Sequence, residues 1–143
     1  MYTTREQAEE LLASNIDPES ADMMVIAGKG KDPFKNWNPI PKTLENCKKY
    51  LGKDCMPAWS DDALCQILPV EIKNSGEDGY RYEFRIVKRQ IPGRGVFVFA
   101  AYFDREGGPC YSGFLSPSMT NALVLLTVDV MHSKEANIIN YKW

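Results

Sequence analysis

The chain has 143 residues, of which 44% are hydrophobic and 25% charged, and its formal net charge is −2. This balance is that of one ordinary globular domain, so it excludes a collagen-like, low-complexity or largely disordered chain. The small net charge provides no global positive field that would recruit nucleic acid or an anionic membrane. The longest strongly apolar run, residues 96–103, is far shorter than the roughly 20 residues of a membrane-spanning helix. We therefore expect no membrane span and treat residues 1–143 as a single domain.

Two helix start signals lie near the N-terminus. The first helix is predicted to begin at Thr3 or Thr4, because either Thr3 with Glu6 or Thr4 with Gln7 forms a capping box that satisfies unpaired N–H groups of the first turn. The dipeptide Asp17-Pro18 is the second signal, since aspartate caps a helix and proline fits its first position. The pattern leaves open whether residues 24–26, which follow this signal, are helical or extended.

A loop and two further helices are predicted to complete the N-terminal half. Three prolines and two glycines within residues 28–41 favour a loop that joins no sheet. A helix is predicted over residues 42–51, with three side chains directed inward: Leu44, Cys47 and Leu51. Ser60 is a strong N-cap for a third helix, which Pro69 ends. Residues 3–69 are thus expected to be helical apart from their loops.

The hydrophobic period changes from 3.6 to 2 after residue 69, which indicates β-strands. Strands are predicted at four places, with a loop over 74–79 after the first: 70–73, 80–86, 95–103 and 110–115. Because residues 95–103 are apolar almost throughout, we expect a central strand that is covered on both faces. The predicted fold class is α+β, an antiparallel meander of three to four strands packed with N-terminal helices and one C-terminal helix.

The last predicted helix runs from about Ser116 or Ser118 to His132 and is apolar on two sides. One stripe contains Met119, Ala122, Leu123, Leu126 and Val130. The second stripe contains Val124, Val128 and Met131. A helix that is apolar on two sides is buried on two sides. The second stripe therefore either packs inside the chain, between the sheet and the N-terminal helices, or forms a homodimer contact.

The chain has four cysteines: Cys47, Cys55, Cys65 and Cys110. Their spacing fits neither a C-x-x-C motif nor a disulfide scaffold, so we expect reduced thiols that are mostly buried. The single histidine, His132, is too few for a zinc site, which needs three or four ligands; no metal and no cofactor are predicted. Residues 1–7 lack the basic and apolar regions of a secretory signal. The expected compartment is the cytoplasm.

An ordered set of short motifs in residues 3–69 resembles a family of short uncharacterised proteins of gut anaerobic bacteria and their prophages or mobile elements. The motifs are Thr4-Arg5-Glu6-Gln7-Ala8, Asp17-Pro18-Glu19-Ser20-Ala21-Asp22-Met23, Pro39-Ile40-Pro41, and the segment from Pro57-Ala58-Trp59-Ser60 to Pro69. The chain departs from the family pattern in its long 42–55 segment and its fuller basic loop. The resemblance brings no reaction with it and implies a small cytoplasmic accessory protein. The same residues are also helix caps and stops, so we interpret them as determinants of folding.

Basic side chains form the clearest candidate binding features. Arg81, Arg85 and Arg89 share one face of the strand that begins near residue 80, because strand side chains alternate with period 2. Aromatic residues of the next strand are placed to interleave with these arginines: Phe97, Phe99 or Tyr102. A basic loop is expected to extend this surface: Lys29, Lys31, Phe34, Lys35 and Trp37. Such a surface stacks and neutralises single-stranded nucleic acid, although a solvated face paired with the acidic segments explains the same residues.

One loop resembles a phosphate-binding motif. Gln90-Ile91-Pro92-Gly93-Arg94-Gly95 looks like the loop with which GNAT acetyltransferases hold a pyrophosphate, and Arg94 is its basic residue. That loop must lead into a helix whose N–H groups meet the phosphate. Here residues 96–99 are β-branched and aromatic, which favours a strand instead.

Three functions follow from these patterns. The leading one is a non-enzymatic binding or adaptor protein that acts through contacts with a protein partner. The second is a binder of single-stranded nucleic acid or nucleotides that uses the arginines and the basic loop. The third is a small acyltransferase that uses residues 90–95. The absence of recognisable catalytic motifs favours the first.

Overall fold

Four α-helices, one 3-10 turn and two antiparallel sheets make up the described part of the chain, residues 1–75 and 79–140, in a computed structural model. The helices are α1 (Arg5–Ala13), α2 (Leu44–Lys49), α3 (Asp61–Ile67) and α4 (Met119–Glu135), and the 3-10 turn is Pro18–Ser20. The first four strands are β1 (Met23–Ile26), β2 (Ile40–Pro41), β3 (Cys55–Ala58) and β4 (Glu71–Asn74). The last four are β5 (Arg81–Ile91), β6 (Gly95–Asp104), β7 (Ser112–Ser116) and β8 (Ile139–Asn140). The loop expected over 74–79 lies partly outside the described residues.

The large sheet has the strand order β7-β6-β5-β4-β8, and all its pairs are antiparallel. Strands β4 to β7 form the meander that the sequence predicts, and β8 adds a short edge strand. One face of this sheet, the inner face, carries side chains that join the core, among them Ile72, Tyr102 and Ala100. The mixed α+β fold class is therefore confirmed.

Helix α4 lies between the large sheet and the other helices. It packs on β6 and β7 on one side and against α1 and α3 on the other, so its two apolar stripes are both used within the chain. Val124 is only 1% exposed and offers almost no area to a second copy. Val128 and Met131 are half-buried and pack against the same core. The homodimer contact stays a prediction, and Val124 is not available for it.

The N-terminal half contains a sheet that the sequence analysis missed. Strand β1 lies between β2 and β3, with Met24 opposite Ile40 on one side and Pro57 on the other. Residues 24–26, which the pattern leaves open, are thus extended, and the N-terminal half contains strands as well as the expected helices and loops. The loop 28–41 was expected to join no sheet, but its last two residues form β2. Prolines are compatible here because both β2 and β3 are edge strands.

Helix α2 is shorter and more exposed than predicted. Thr43 caps it through a hydrogen bond from the Asn46 amide to Oγ1 (3.1 Å), but Leu44 and Leu51 are 73% and 86% exposed. Helical spacing shows which residues share a face, yet it does not show whether that face meets the core. The cysteines depart from expectation in the same way, because Cys55 and Cys110 are exposed and the other two only partly buried.

Two of the family-like motifs meet Thr3 at one hydrogen-bonded junction. The Trp59 amide donates to the Thr3 hydroxyl (3.0 Å), and the Trp59 indole N–H donates to the Ser20 hydroxyl (3.0 Å). The Asp22 carboxylate accepts hydrogen bonds from both the amide and the hydroxyl of Ser60. Ser60 in turn accepts from the Ala63 amide (3.1 Å) and begins α3. These contacts agree with the interpretation of the motifs as determinants of folding.

Candidate binding face of the large sheet

The outer face of the large sheet points away from α4. We define it by the side chains that alternate along each strand with those of the inner face. Strand β5 contributes Arg81, Glu83, Arg85, Val87, Arg89 and Ile91, and β6 contributes Phe97, Phe99, Ala101 and Phe103. Strands β4 and β7 add Glu71, Lys73, Gly113 and Leu115. Strand β6 lies between β5 and β7, as expected for a central strand. The expectation that it is covered on both faces is wrong, because α4 packs on its inner face while Phe97, Phe99 and Phe103 on its outer face stay partly exposed.

An aromatic cluster occupies the middle of the outer face. Phe99 and Phe103 meet edge to face with ring centroids 5.7 Å apart, and Ala101 between them is fully buried. Gly113 on the neighbouring strand has no side chain, and a Cβ there would lie only 2.5 Å from Cζ of Phe99. The Phe99 ring therefore lies across β7 at this glycine. The strict alternation of Phe97, Phe99 and Phe103 with inward residues was the signal in the sequence for this second apolar surface.

Two of the predicted arginines cover these rings. The guanidinium carbon of Arg85 lies 6.0 Å from the Phe103 ring centroid, and that of Arg89 lies 5.8 Å from the Phe99 centroid. Both distances are within the range of cation–π attraction. The predicted contact between an arginine and an aromatic ring is present for Phe99, and Phe103 makes a contact of the same kind.

The sheet's β4 end carries an ion-pair network. Arg105 Nε lies 2.8 Å from Glu83 Oε1, and its Nη1 lies 3.4 Å from Glu71 Oε2. Arg85 Nη2 reaches the other Glu83 oxygen at 3.1 Å, and Arg81 Nε lies 3.6 Å from Glu71. The hydrogen bond from Arg85, with the nearby charge of Arg105, lowers the pKa of the Glu83 carboxyl below its usual range. Arg81 and Arg85 are therefore each paired with a carboxylate within the chain.

The opposite end of the outer face is basic and has no acidic residue. Residues 86–103 contain three basic residues, Lys88, Arg89 and Arg94, and no aspartate or glutamate. Arg89 lies on the outer face, whereas Lys88 alternates to the inner side and Arg94 lies in the adjoining hairpin turn. These three side chains have no ion pair within the described residues. Leu115, beside Phe99 in the register, is 47% exposed. An uncovered apolar strip thus borders an unpaired positive charge.

Two other candidate residues lie elsewhere. Tyr102 is on the inner face, fully buried, and its hydroxyl donates to the Pro69 carbonyl oxygen (2.7 Å). Arg94 lies in the turn of the β5–β6 hairpin, where its amide donates to the Ile91 carbonyl oxygen (2.9 Å). Strand β6 begins directly after this turn, so residues 90–95 do not lead into a helix that would hold a pyrophosphate.

The basic loop forms a separate site. Trp37 donates from its indole to the Thr3 carbonyl oxygen (2.9 Å), and Arg5 Nη1 donates to both oxygens of Asp32 (2.9 Å each). Lys29 and Lys35 line a cleft of about 360 Å³ beside β1, and Lys31 is exposed. No hydrogen bond, ion pair or ring contact within the described residues joins this loop to β5 or β6. The loop does not extend the arginine-bearing face.

The described residues offer neither a metal-binding group nor a membrane-spanning helix. Residues 1–75 and 79–140 contain no group of three or more histidine, cysteine, aspartate or glutamate side chains placed to hold a metal ion. None of the helices in these residues has the length and apolar character needed to span a membrane. No protein-family model, curated protein or solved structure matches the chain. The family resemblance of residues 3–69 stays a prediction.

Proposed function

We propose that the protein is a non-enzymatic, cytoplasmic binding protein that contacts another protein through the outer face of the large sheet. The partner surface would offer an apolar ridge bordered by carboxylates. The observation that carries this proposal is the exposed Leu115, which lies next to the half-buried Phe99 and beside the acid-free basic end of the sheet. Because this end of the sheet is positively charged, a complementary partner would carry carboxylates at the border of its contact surface.

The composition of the face favours a protein partner over a nucleic acid. Its apolar surface mixes phenylalanine with aliphatic side chains, with Leu115 exposed and Val87 and Ile91 half-buried. Aliphatic side chains contribute to protein interfaces through burial, whereas bases are bound by stacking on open ring faces. The rings of Phe99 and Phe103 pack against each other and lie under guanidinium groups. Arginine and aromatic residues are also enriched among the residues that dominate protein-binding energy.

A second function, the binding of single-stranded nucleic acid, is favoured by one observation. Lys88, Arg89 and Arg94 have no acidic partner within the described residues, so they are available to phosphates, and Arg89 lies beside an aromatic ring. Binding of this kind weakens steeply with salt because counterions are released from the nucleic acid. The two functions therefore predict different partners in a crosslinking experiment, a protein or a nucleic acid, and a different dependence of binding on salt.

Site-specific photocrosslinking tests the proposal. A photoreactive amino acid is placed at Leu115 and, in a matched control, at Leu44, which is exposed but lies on α2. Both full-length chains are expressed in the native host and irradiated. We expect a discrete protease-sensitive adduct from position 115, none from position 44, and loss of the adduct when Arg89→Glu is added.

Two other outcomes would overturn the proposal. An adduct removed by nuclease, together with binding of the purified chain to oligothymidylate at low salt, would replace the protein partner by nucleic acid. Equal adducts from both positions, or none from position 115, would show that the outer face is not a binding surface. A circular dichroism melt of the Arg89→Glu variant checks that it remains folded.

A further inference from the structure

A second cleft, of about 560 Å³, lies on the other side of the large sheet from the arginines. It is located where β5 begins and β6 ends, next to the segment that leads into β7. Three tyrosines line it: Tyr80, Tyr82 and Tyr111. It is a wide-open depression, because five of the residues that line it are exposed, so a small ligand bound here would stay partly in contact with water. No residue of this cleft takes part in the proposed protein contact.

The tyrosine rings form two adjoining walls and a rim. The Tyr82 and Tyr111 ring centroids are 5.4 Å apart, and their planes are inclined by 48°. Both side chains are half-buried and pack against the core, so the core holds their orientation. Tyr80 is 48% exposed and lies at the opening. The cleft thus offers several aromatic surfaces to one small ligand.

Carboxylates make this cleft negative. Asp104 lies directly opposite Tyr82 in the β5–β6 register, and its Oδ1 accepts a hydrogen bond from the Glu106 amide (3.0 Å). Asp104 and Glu106 both line the cleft, and no lysine, arginine or histidine does so among the described residues. Arg105, between them, is turned to the outer face by its ion pairs with Glu83 and Glu71. Burial, with the nearby charge of Asp104, raises the pKa of the Tyr82 phenol above its ordinary value.

From the three tyrosine rings and two carboxylates that line one cleft, we infer that it binds an organic cation with a methylated ammonium group. Aromatic faces carry negative charge density and attract such cations, and cages of this kind recognise quaternary ammonium and methylated lysine. A quaternary ammonium has no N–H donor to satisfy, so it suits ring faces with only two carboxylates nearby. A free choline-like molecule and a methylated lysine side chain present the same group.

Choline chloride is the probe for this inference, in a titration of the full chain followed by amide NMR shifts. Its neutral control is 3,3-dimethyl-1-butanol, in which carbon replaces the ammonium nitrogen, and sodium chloride controls for ionic strength. We expect saturable shifts around Tyr80 and Tyr111 with choline and not with the alcohol. No saturable shift at roughly 100 mM choline, or equal shifts with the alcohol, would overturn the inference.

Variants locate the site. Tyr80→Leu should weaken choline binding by about two-fold to five-fold, the value of one partly exposed cation–π contact. Tyr2→Leu is the matched control, because Tyr2 is similarly exposed (44%) and lies outside the cleft. Asp104→Asn keeps the acceptor for the Glu106 amide and removes the charge, so it should also weaken binding. Unchanged affinity in Tyr80→Leu and Asp104→Asn would contradict the assignment even if choline binds elsewhere.

A peptide with trimethyllysine, compared with its unmodified form, distinguishes the two sources of the ligand. Tighter binding of the trimethylated peptide than of choline identifies a protein side chain as the ligand. Equal or weaker binding of the peptide identifies a free small molecule. Either result retains the cleft as the site, provided that Tyr80→Leu weakens both.

Discussion

The packing of Phe99 on Gly113 gives the most direct test of the outer face. In Gly113→Ala, the new Cβ would lie 2.5 Å from Cζ and 2.7 Å from Cε2 of Phe99, and 2.8 Å from Cβ of Ala101. Such distances are far inside van der Waals contact, so the Phe99 ring must move away from β7. The move would also separate it from the Phe103 edge and the Arg89 guanidinium, which lie at 5.7 and 5.8 Å.

Two opposing effects set the change in the free energy of unfolding in Gly113→Ala. Forcing an extra methyl group into a packed site costs about 1–3 kcal/mol. Replacing glycine by alanine recovers about 0.5–1 kcal/mol, because the unfolded chain of the variant has less conformational freedom. We therefore expect Gly113→Ala to lower the free energy of unfolding by about 1 kcal/mol, within a range of roughly 0–2.5 kcal/mol. Phe99→Leu in the same chain should remove the part of this cost that comes from the ring, whereas the 2.8 Å approach to Cβ of Ala101 remains.

Urea denaturation of four variants measures these effects. Gly28→Ala is the matched control, because its Cβ would meet only the Pro33 carbonyl oxygen at an ordinary 3.5 Å. Gly113→Ala, Phe99→Leu and the double variant complete a double-mutant cycle, which isolates the interaction between the two positions. If Gly113→Ala and Gly28→Ala have the same stability, or if the cycle shows no coupling, the ring does not lie on β7.

Two further predictions concern the basic loop. Trp37→Phe removes the indole N–H that bonds to the Thr3 carbonyl oxygen, and it should lower the free energy of unfolding by about 1 kcal/mol; a urea midpoint equal to that of the native chain would contradict this. The Arg5 hydrogen bonds hold the pKa of the Asp32 carboxyl below its usual range. A carboxyl with a lowered pKa stabilises the fold above its unfolded pKa, and this contribution is lost as the pH falls below about 4. In Arg5→Gln the Asp32 titration midpoint, followed by carboxyl NMR, should rise, and identical midpoints would refute the pairing.

Local features of the fold follow closely from the sequence. The Thr4–Gln7 capping box and the Ser60 cap are present as expected, because capping depends on residues only three positions apart. The period-2 alternation after residue 80 places Arg81, Arg85 and Arg89 on one face, which the register of β5 shows. These features depend on chain geometry that any short segment carries with it.

The sheet of β1, β2 and β3 could not be predicted in the same way. Met23–Ile26 is a short apolar run that suits a helix or a strand equally well. Its strand partners are brief and contain prolines, Pro41 and Pro57, which are usually read as breaks in a sheet. Only pairing with residues far along the chain fixes its conformation.

The amino-acid sequence by itself determined the caps, the strand period and the set of basic and aromatic side chains. The tertiary structure decided which of these meet. It separated the lysine loop from the arginines, used both stripes of α4 inside the chain, and gathered Tyr80, Tyr82 and Tyr111 with Asp104 at one cleft. The physical reason is that local conformation depends on near neighbours, whereas the burial of a face depends on which distant segment covers it.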